Sequence, residues 1–408
     1  IAVAAIVFII LAMSTYSTDV INKANAIARN DVPIINDAWH SALTAIRDDS
    51  DNVTKSAIIT SWWDFGHHFK SITDRRVTFD GTTQQYPPAH WVGKFFMTKD
   101  ETEAAGILRM LDCGSNSAFD ILYNITGDFD GSIKTLYRLV KTPSKEEANR
   151  ILTSEYGLTD RQAENVLNYT HCDPPEAYVI ASEDMIGKSG VWGHFGSWDF
   201  EKGISWQTLR GKSQKEAVAA MKEMFNYSEE KAKVVYGEML RVRDDREANS
   251  WIAPWPSFSG EISGCSILVS TENEQDKVVR CGNGLIVNLT TNDAYFPAQD
   301  GKALHPVTFV YMTNETGTED VIEKAYANNT VPQQLSVILV PQGEWLDSSN
   351  SYSSYYAAVA SPEQAAGMFT RMFFMEGRGL KHFKLLTHQR GLTGTNVYVY
   401  KAQWDTLK

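Results

Sequence analysis

The sequence has few cysteines, no excess of basic residues and none of the common catalytic fingerprints. Its four cysteines form no Cys-x-x-Cys pair, so a structural zinc site is not expected. The net charge of -12 at pH 7 argues against nucleic acid as a partner, because phosphate binding needs clustered Lys and Arg. We find no P-loop, no Rossmann fingerprint, no Gly-x-Ser-x-Gly motif and no internal repeat. What remains is a globular chain of 408 residues, 43% of them hydrophobic, which is enough for two or three domains with real cores.

No apolar run in the sequence reaches the length of about twenty residues that a transmembrane helix needs. Residues 1–13 are continuously apolar, but they are too few to span a membrane on their own. No basic segment precedes them and no defensible cleavage site follows, so a signal peptide is the weaker interpretation. We interpret residues 1–13 as the end of a final transmembrane helix, with a buried N-terminal helix as the alternative. Because the first residue is Ile, we expect a fragment or a processed product.

The even number of cysteines fits two disulfides. Cys265 and Cys281 flank a predicted hairpin and are expected to pair, which leaves Cys113 for Cys172. If the domain faces the outside of the cell, its cysteines are expected to be oxidised to disulfides. Buried free thiols are the alternative.

Hydrophobic periodicity predicts helices and strands in alternation through the first 250 residues. The segment Asn30-Asp31-Val32-Pro33 is expected to open a helix that packs through Ile34, Ile35, Ala38, Trp39, Ala42, Leu43 and Ile46. Further predicted helices cover residues 98–111, 144–152, 159–169, 213–226 and 228–243, and predicted strands cover 56–60, 117–126 and 177–181. The order strand, helix, strand predicts a mixed α/β core with at least partly parallel pairing.

The pattern changes at Trp251-Ile252-Ala253-Pro254-Trp255-Pro256, after which short β-rich runs alternate with turns. The runs are 266–270, 285–289 and 307–311, followed by a capped helix over 361–375 and a strand over 397–400. We therefore predict an α/β core over 14–250, a β-rich inserted or peripheral domain over 251–345, and a return to the core over 346–408.

The most distinctive stretch is Trp62-Trp63-Asp64-Phe65-Gly66, which follows the predicted strand 56–60 and is expected to lie in a loop. Indole is a hydrogen-bond donor only and a carboxylate is an acceptor only, so together they can satisfy a hydroxyl on both sides. A run of this kind is expected by chance in roughly one chain in ten thousand of this length. The alternative is that Trp62 and Trp63 are buried core aromatics at the end of a strand.

This run resembles the Trp-Trp-Asp-Tyr-Gly signature of the catalytic subunit of oligosaccharyltransferase. The surrounding chain resembles the C-terminal globular domain of the archaeal form, AglB. In that family the motif binds the hydroxyl at the +2 position of the Asn-x-Ser/Thr acceptor, which assigns this role to Trp62, Trp63, Asp64, Phe65 and Gly66. Phe65 replaces the usual Tyr, which removes one phenol and keeps the ring.

The family carries a second motif, Asp-x-x-Lys-x-x-x-[Met/Ile], on a kinked helix beside the pocket. Here Asp184 and Lys188 are four residues apart, so if Lys188 is the motif lysine, Met185 takes the place of the aspartate and Trp192 the final place. Met185 or the alkyl stem of Lys188 could face a threonine methyl, and the ammonium could pair with Asp64 or Asp184. The alternative is an ordinary surface ion pair at helical spacing.

The resemblance implies an enzyme that transfers a lipid-linked oligosaccharide to Asn of an acceptor polypeptide, on the extracellular face of the cell membrane. It also implies a divalent metal, Mn²⁺ or Mg²⁺, held in a transmembrane part, with no metal expected on this chain and no transferase activity for this chain alone. His67-His68 is not expected to bind metal, since adjacent side chains point to different sides.

Two other functions stay open at this point. A membrane-anchored extracellular glycan-binding module would use the tryptophans near residues 190–198 and 251–255. A secreted hydrolase is disfavoured because no catalytic motif is recognised.

Overall fold

The computed structural model describes residues 19–28, 34–84, 86–269, 277–298, 300–312, 321–326, 335–346, 351–392 and 394–407. The predicted end of a transmembrane helix, residues 1–13, and the predicted helix start, residues 30–33, lie outside these ranges. Within them, no helix combines the length and the apolar character that crossing a membrane requires.

Fourteen strands occur in the described ranges. In chain order they are β1 (Ile58–Thr60), β2 (Arg76–Val77), β3 (Ala177–Ser182), β4 (Phe258–Val269), β5 (Lys277–Cys281), β6 (Ile286–Asn288), β7 (Asp293–Pro297), β8 (Ala303–Leu304), β9 (Thr308–Met312), β10 (Val321–Ala325), β11 (Ser336–Leu346), β12 (Ser351–Ala360), β13 (Phe383–Arg390) and β14 (Asn396–Ala402). The α-helices are Asp37–Asp49, Gly66–Thr73, Pro88–Met97, Glu101–Gly114, Ser117–Thr126, Phe129–Val140, Lys145–Arg150, Asp160–Thr170, Asp184–Gly187, Ser189–Gly196, Phe200–Leu209, Gln214–Phe225, Glu229–Met239, Asp245–Ile252 and Pro362–Ala365. Residues 19–28 are also helical, Trp63–Phe65 and Trp404–Leu407 are 3₁₀ turns, and Ile151–Glu155 and Thr370–Phe374 are π-helical.

The first sheet has five strands in the order β13-β14-β3-β1-β2. Strand β1 is parallel to both β2 and β3, whereas β14 is antiparallel to β3 and β13. Helix Asp37–Asp49 covers one face, where Trp39 packs in a cluster with Ile59 and Tyr178. The other face, including Val179, joins the main hydrophobic core. This mixed sheet between helical layers confirms the predicted α/β core.

The second sheet has nine strands in the order β10-β9-β11-β12-β4-β5-β6-β7-β8. All neighbours are antiparallel except β9 and β11. Alternate side chains such as Val279, Phe309 and Leu339 form its own buried cluster. The predicted β-rich part is therefore present, and β12 extends its sheet past residue 345. Strands β13 and β14 lie in the first sheet, and the domain boundaries themselves stay a prediction.

Two predicted element starts are wrong. Helix Asp37–Asp49 begins after Asn36, whose side chain accepts hydrogen bonds from the backbone N–H groups of Ala38 (3.1 Å) and Trp39 (3.3 Å). Ile34 lies before the helix and is exposed, although the predicted buried face from Ala38 to Ile46 is confirmed. Thr98 ends the helix Pro88–Met97, and Asp100 caps the helix that follows.

The predicted strand over residues 117–126 is wrong, because Ser117–Thr126 is an α-helix. It buries Ala118 and Leu122, which are four residues apart, against neighbouring helices. The predicted helix over 361–375 is interrupted: Pro362–Ala365 is followed by a turn and by the π-helical stretch Thr370–Phe374. The helix predicted to reach residue 243 ends at Met239.

Two disulfides connect elements that are distant in the chain or adjacent in the sheet. Cys113, in the helix Glu101–Gly114, is bonded to Cys172. Cys265 on β4 is bonded to Cys281, which lies opposite it on β5. These are the two pairings inferred from the sequence.

Candidate functional site

The tryptophan motif lies where β1 leads directly into a helix. Trp62 is extended, Trp63–Phe65 forms a 3₁₀ turn, and Gly66–Thr73 continues as an α-helix, so the expectation of a loop is wrong. A Cβ atom added at Gly66 would lie 2.6 Å from Asp80 Cβ and 2.9 Å from the carbonyl oxygen of Phe79. Only glycine allows this close approach of the helix start to the backbone at residues 79 and 80.

The two tryptophans occupy different environments. Trp62 is 3% exposed and packs edge-to-face on Phe79, with a centroid distance of 5.5 Å. Trp63 is half-buried at the edge of the same core. Trp62 is thus a core aromatic, whereas Trp63 meets the surface. In the described part of the chain, neither indole N–H donates a hydrogen bond, so Trp63 in particular offers an unused donor.

The two carboxylate oxygens of Asp64 differ: one forms an ion pair and the other has no hydrogen-bond partner among the described residues. Its Oδ1 lies 3.2 Å from Lys188 Nζ, and its side chain is 25% exposed. Its Oδ2 is buried and has no hydrogen-bond partner among the described residues. An unsatisfied buried acceptor of this kind costs about 1–3 kcal/mol.

Lys188 lies between two carboxylates. Its Nζ is 2.8 Å from Asp184 Oδ2 and sits 4.8 Å from the centroid of the Phe65 ring. Burial alone would lower the pKa of Lys188, but the hydrogen bond to Asp184 and the charges of Asp184 and Asp64 outweigh it and raise the pKa. Both ion pairs anticipated from the sequence are therefore formed at once, and Lys188 is charged at neutral pH.

The second motif spans two short helices with a break between them. Asp184–Gly187 ends at Lys188, where the φ angle is -99° and the ψ angle is 0°, and Ser189–Gly196 follows. Met185 and Trp192 are 1% and 0% exposed, and the Trp192 indole N–H donates to the carbonyl oxygen of Met185 at 2.9 Å. These two side chains anchor the segment in the core, while the Lys188 ammonium contacts both Asp184 and Asp64.

The sheet explains why the two motifs meet. Strands β1 and β3 are parallel neighbours, with Ile59 opposite Tyr178, so both strands end at the same edge. The chain that follows β1 carries Asp64, and the chain that follows β3 carries Asp184 and Lys188. Ligand sites commonly form at this edge of a parallel pair.

Several residues around the site were missed by sequence reasoning. Ser182 donates to Asp184 Oδ1 at 2.6 Å, and the Phe195 ring lies 6.1 Å from Trp62. Lys70 pairs with the buried Asp80 beside the motif; burial opposes ionisation, but the bonds from Lys70 and Thr82 prevail and hold the pKa of Asp80 well below its usual value. The contacts of Phe195 with Trp62 and of Lys70 with Asp80 have no signal in the sequence, because they depend on which elements become neighbours.

The two adjacent histidines take separate positions. His67 Nδ1 lies 3.7 Å from Asp80 Oδ2, and the His68 ring contacts Phe65 edge-on. In the ranges that the structure describes, no group of three or more His, Cys, Asp or Glu side chains is arranged to hold a metal ion.

Comparison with known proteins finds two relatives that carry the same protein name. No family model matches the chain. The dolichyl-phosphooligosaccharide-protein glycotransferase of Methanococcus voltae is 34% identical over 174 residues, which are 41% of this chain and 18% of that protein. The protein of the same name from Methanocaldococcus jannaschii is 37% identical over 173 residues, again 41% of this chain and 18% of that protein. The resemblance to archaeal oligosaccharyltransferases is confirmed.

The chain spans 18% of the length of each of these two relatives, whose names are those of glycosyltransferases. A solved structure, described as the crystal structure of the C. jejuni PglB C-terminal domain, aligns with 89% of this chain and 99% of that chain. Its TM-score is 0.38 and its sequence identity is 11%.

Proposed function

We propose that this chain is the acceptor-recognition domain of an oligosaccharyltransferase, and that the Asp64 site binds the Ser or Thr hydroxyl of an Asn-x-Ser/Thr acceptor. The observation that carries the proposal is the buried, unpartnered Oδ2 of Asp64, in a residue that directly follows the half-buried Trp63. A hydroxyl is the smallest group that both donates to a carboxylate and accepts from an indole.

Selectivity for a hydroxyl follows from what happens in its absence. Asp64 Oδ2 is already dry and unpaired in the described structure, so a hydroxyl at the +2 position would supply the donor that it lacks. A residue without a hydroxyl would leave Oδ2 unpaired and forgo that gain, which is about 1–3 kcal/mol for a hydrogen bond to a charged group. Sites built to bond a hydroxyl reject analogues that lack it far more strongly than sites that only measure size.

Lys188 positions Asp64 in this proposal. Its ammonium holds Oδ1 at 3.2 Å, which turns Oδ2 toward the acceptor, and its second bond to Asp184 keeps the ammonium in place. The alkyl stem of Lys188 offers an apolar surface to a threonine methyl. Met185 and Trp192 are buried beneath this surface and act through packing.

The complete enzyme would transfer a lipid-linked oligosaccharide to the Asn side chain on the extracellular face of the cell membrane. The donor site and a divalent metal, Mn²⁺ or Mg²⁺, would lie in a transmembrane part, and the metal would stabilise charge during glycosyl transfer. This chain would contribute acceptor binding, and alone it would be inactive. The names of the two relatives and the motif residues support this assignment.

The test uses Asp64→Ala in the full-length enzyme with two acceptor peptides that differ only at the +2 position, threonine against 2-aminobutyrate. In the wild type, kcat/KM should favour threonine strongly, because 2-aminobutyrate has the same carbon skeleton without the hydroxyl. In Asp64→Ala, transfer to threonine should fall by at least about 10- to 100-fold, the equivalent of roughly 1–3 kcal/mol. The preference for threonine should be lost with it.

Asp300→Asn provides a matched control, since Asp300 is exposed in the turn between β7 and β8 and its side chain bonds to Lys302, its one side-chain partner in the described ranges. Near-normal transfer by a folded Asp64→Ala enzyme, or an unchanged preference for threonine, would contradict the proposal. Near-ultraviolet circular dichroism establishes that the variant is folded.

A further inference from the structure

A second site surrounds Arg109 and shares no residue with the acceptor site. Arg109 lies on the helix Glu101–Gly114, is 8% exposed, and lines a cavity of about 560 Å³. The walls of the cavity come from the turn that begins the helix at Lys145, from the segment after the helix Asp160–Thr170, and from Trp404 and Leu407. The site therefore assembles four distant parts of the chain around one buried cation.

The hydrogen-bonding capacity of Arg109 is only partly used. A guanidinium has five N–H groups. One Nη donates to the carbonyl oxygen of Pro143 at 3.3 Å and the other to that of Thr142 at 3.5 Å. Nε is buried and has no partner, and no acidic side chain forms an ion pair with Arg109 within the described ranges. A buried cation without a counter-ion is costly, and an anion in the cavity would remove that cost.

Arg109 and Lys145 are the cationic groups that line the cavity, and Glu146 and Asp173 are its carboxylates. Burial, and next the charge of Arg109, lower the pKa of His171 to about 4, so this ring is neutral at pH 7. Both His171 ring nitrogens already have partners, in Thr142 and Thr170. Lys145 lines the cavity and pairs with Glu164, which does not, at 3.0 Å. The acidic groups of Glu146 and Asp173 also line the wall and disfavour a ligand with two negative charges.

We propose that this cavity binds a carboxylate attached to a ring, with the carboxylate on Arg109 and the ring against Trp404. The planar guanidinium matches a carboxylate in geometry and in charge. Trp404 is held in place because its indole N–H donates to the carbonyl oxygen of Pro175 at 2.8 Å. Pro143, Pro174 and Leu407 complete an apolar wall. A sugar acid and an aromatic acid share this chemistry, and the experiment separates them.

The 408-residue chain is titrated by calorimetry with glucuronate and with benzoate. Glucose and benzyl alcohol serve as the neutral counterparts, and inorganic phosphate as the dianion. We expect saturable binding of at least one carboxylate, at least tenfold tighter than its neutral counterpart and than phosphate. Preference for glucuronate identifies a sugar acid as the natural class, and preference for benzoate an aromatic acid.

Two variants locate the binding. Arg109→Gln should weaken carboxylate binding at least tenfold, whereas the exposed Arg161→Gln should not change it. Trp404→Leu keeps the guanidinium and removes the ring surface, so it should weaken glucuronate or benzoate and leave acetate unchanged. If Arg109→Gln does not fold, Trp404→Leu tests whether the ligand binds in this cavity.

The wild-type protein supplies an independent readout. A bound carboxylate would offset the charge of Arg109, which is one cause of the low pKa of His171, with Lys145 and Glu146 the other charged groups nearby. The pKa of His171, followed by nuclear magnetic resonance, should therefore rise on binding. Absence of saturable carboxylate binding, equal binding of the neutral counterparts or of phosphate, or an unchanged His171 pKa at saturation would each overturn the proposal.

Discussion

Asp112 lies three residues after Arg109 on the same helix, yet the two side chains do not pair. It is 8% exposed, and neither carboxylate oxygen has a hydrogen-bond partner among the described residues. Burial raises the pKa of Asp112 well above its usual value, against a smaller opposing effect of Arg76. At neutral pH this residue therefore destabilises the folded state, whether by carrying a buried charge or by retaining a proton that the unfolded chain would release.

Asp112→Asn should stabilise the protein at pH 7. Because the folded-state pKa is raised, folding is favoured most below the usual Asp pKa and loses free energy as pH rises toward the folded-state pKa. Asparagine has the same shape and never ionises, so the variant should gain about 1–3 kcal/mol in the free energy of unfolding at pH 7. Urea unfolding at several pH values measures this.

The gain of Asp112→Asn should shrink steadily as the pH is lowered to about 4, close to the usual Asp pKa. Asp48→Asn is the control, since Asp48 is exposed and should show little effect at any pH. An Asp112→Asn variant that is no more stable than the wild type at pH 7 would contradict the expectation.

At the scale of elements, the helix that carries the second motif is held by a contact between two glycines. A Cβ atom added at Gly93 would lie 2.3 Å from the carbonyl oxygen of Trp192 and 2.7 Å from the backbone nitrogen of Gly196. A Cβ atom added at Gly196 would lie 2.3 Å from the carbonyl carbon of Gly93. The helices Pro88–Met97 and Ser189–Gly196 thus touch backbone to backbone, which fixes the distance of Lys188 from the core.

Gly93→Ala should force these helices apart. The backbone atoms in its way cannot rotate aside as a side chain can, so we expect a loss of at least about 1–3 kcal/mol in the free energy of unfolding. Acceptor binding should weaken as well, because Lys188 begins the displaced helix. Thermal unfolding and peptide titration measure the two effects.

Gly237→Ala is the matched control. Gly237 is also helical, but nothing lies within 4 Å of an added Cβ atom. This change should be neutral or should stabilise the protein by about 0.4–1 kcal/mol through the unfolded chain. Similar behaviour of the two variants would show that the close contact does not govern the packing of these helices.

Elements defined by local chemistry were predictable from the sequence. The capping box of Ser213 and Glu216 and the cap at Thr159 set helix starts through bonds within four residues. The stretch Ser117–Thr126 was not predictable, because its apolar residues fit either a strand or a helix. The neighbouring helices decide this case by packing on Ala118 and Leu122.

The candidate site also combines features that the local sequence predicts with features that depend on tertiary packing. The ion pairing of Lys188 with Asp64 and Asp184 could be predicted from residue types. The distance of 3.2 Å between Lys188 and Asp64 depends on the pairing of β1 with β3, which the sequence does not specify. The cavity at Arg109 was not anticipated, because its walls come from segments separated by almost 300 residues, from Arg109 to Leu407.

At the scale of the whole molecule, the two disulfides restrain very different lengths of chain. Cys113 and Cys172 are 59 residues apart, whereas Cys265 and Cys281 are 16 apart. In the chain-entropy description, a crosslink stabilises by restricting the unfolded chain, and the effect grows with the logarithm of the loop length. The first disulfide also closes one side of the Arg109 cavity, since Cys172 lines it.

Removing the first disulfide should cost more stability than removing the second. We expect Cys113→Ala with Cys172→Ala to lose about 4 kcal/mol, and Cys265→Ala with Cys281→Ala to lose about 3 kcal/mol. Guanidinium unfolding of both double variants tests the ranking. A larger loss for the Cys265 pair would mean that packing at β4 and β5 outweighs chain entropy.

The position of β14 in the first sheet has a consequence for biosynthesis. It lies between β13 and β3, and the backbone N–H and side-chain amide of Asn396 donate to Glu183, which directly precedes Asp184. Strand β3, which supports the second motif, can pair with β1 on one side, but its neighbour on the other side, β14, is missing until residues 396–402 have left the ribosome. More than 300 residues are synthesised after the tryptophan motif before β14 can pair with β3 and complete this part of the first sheet.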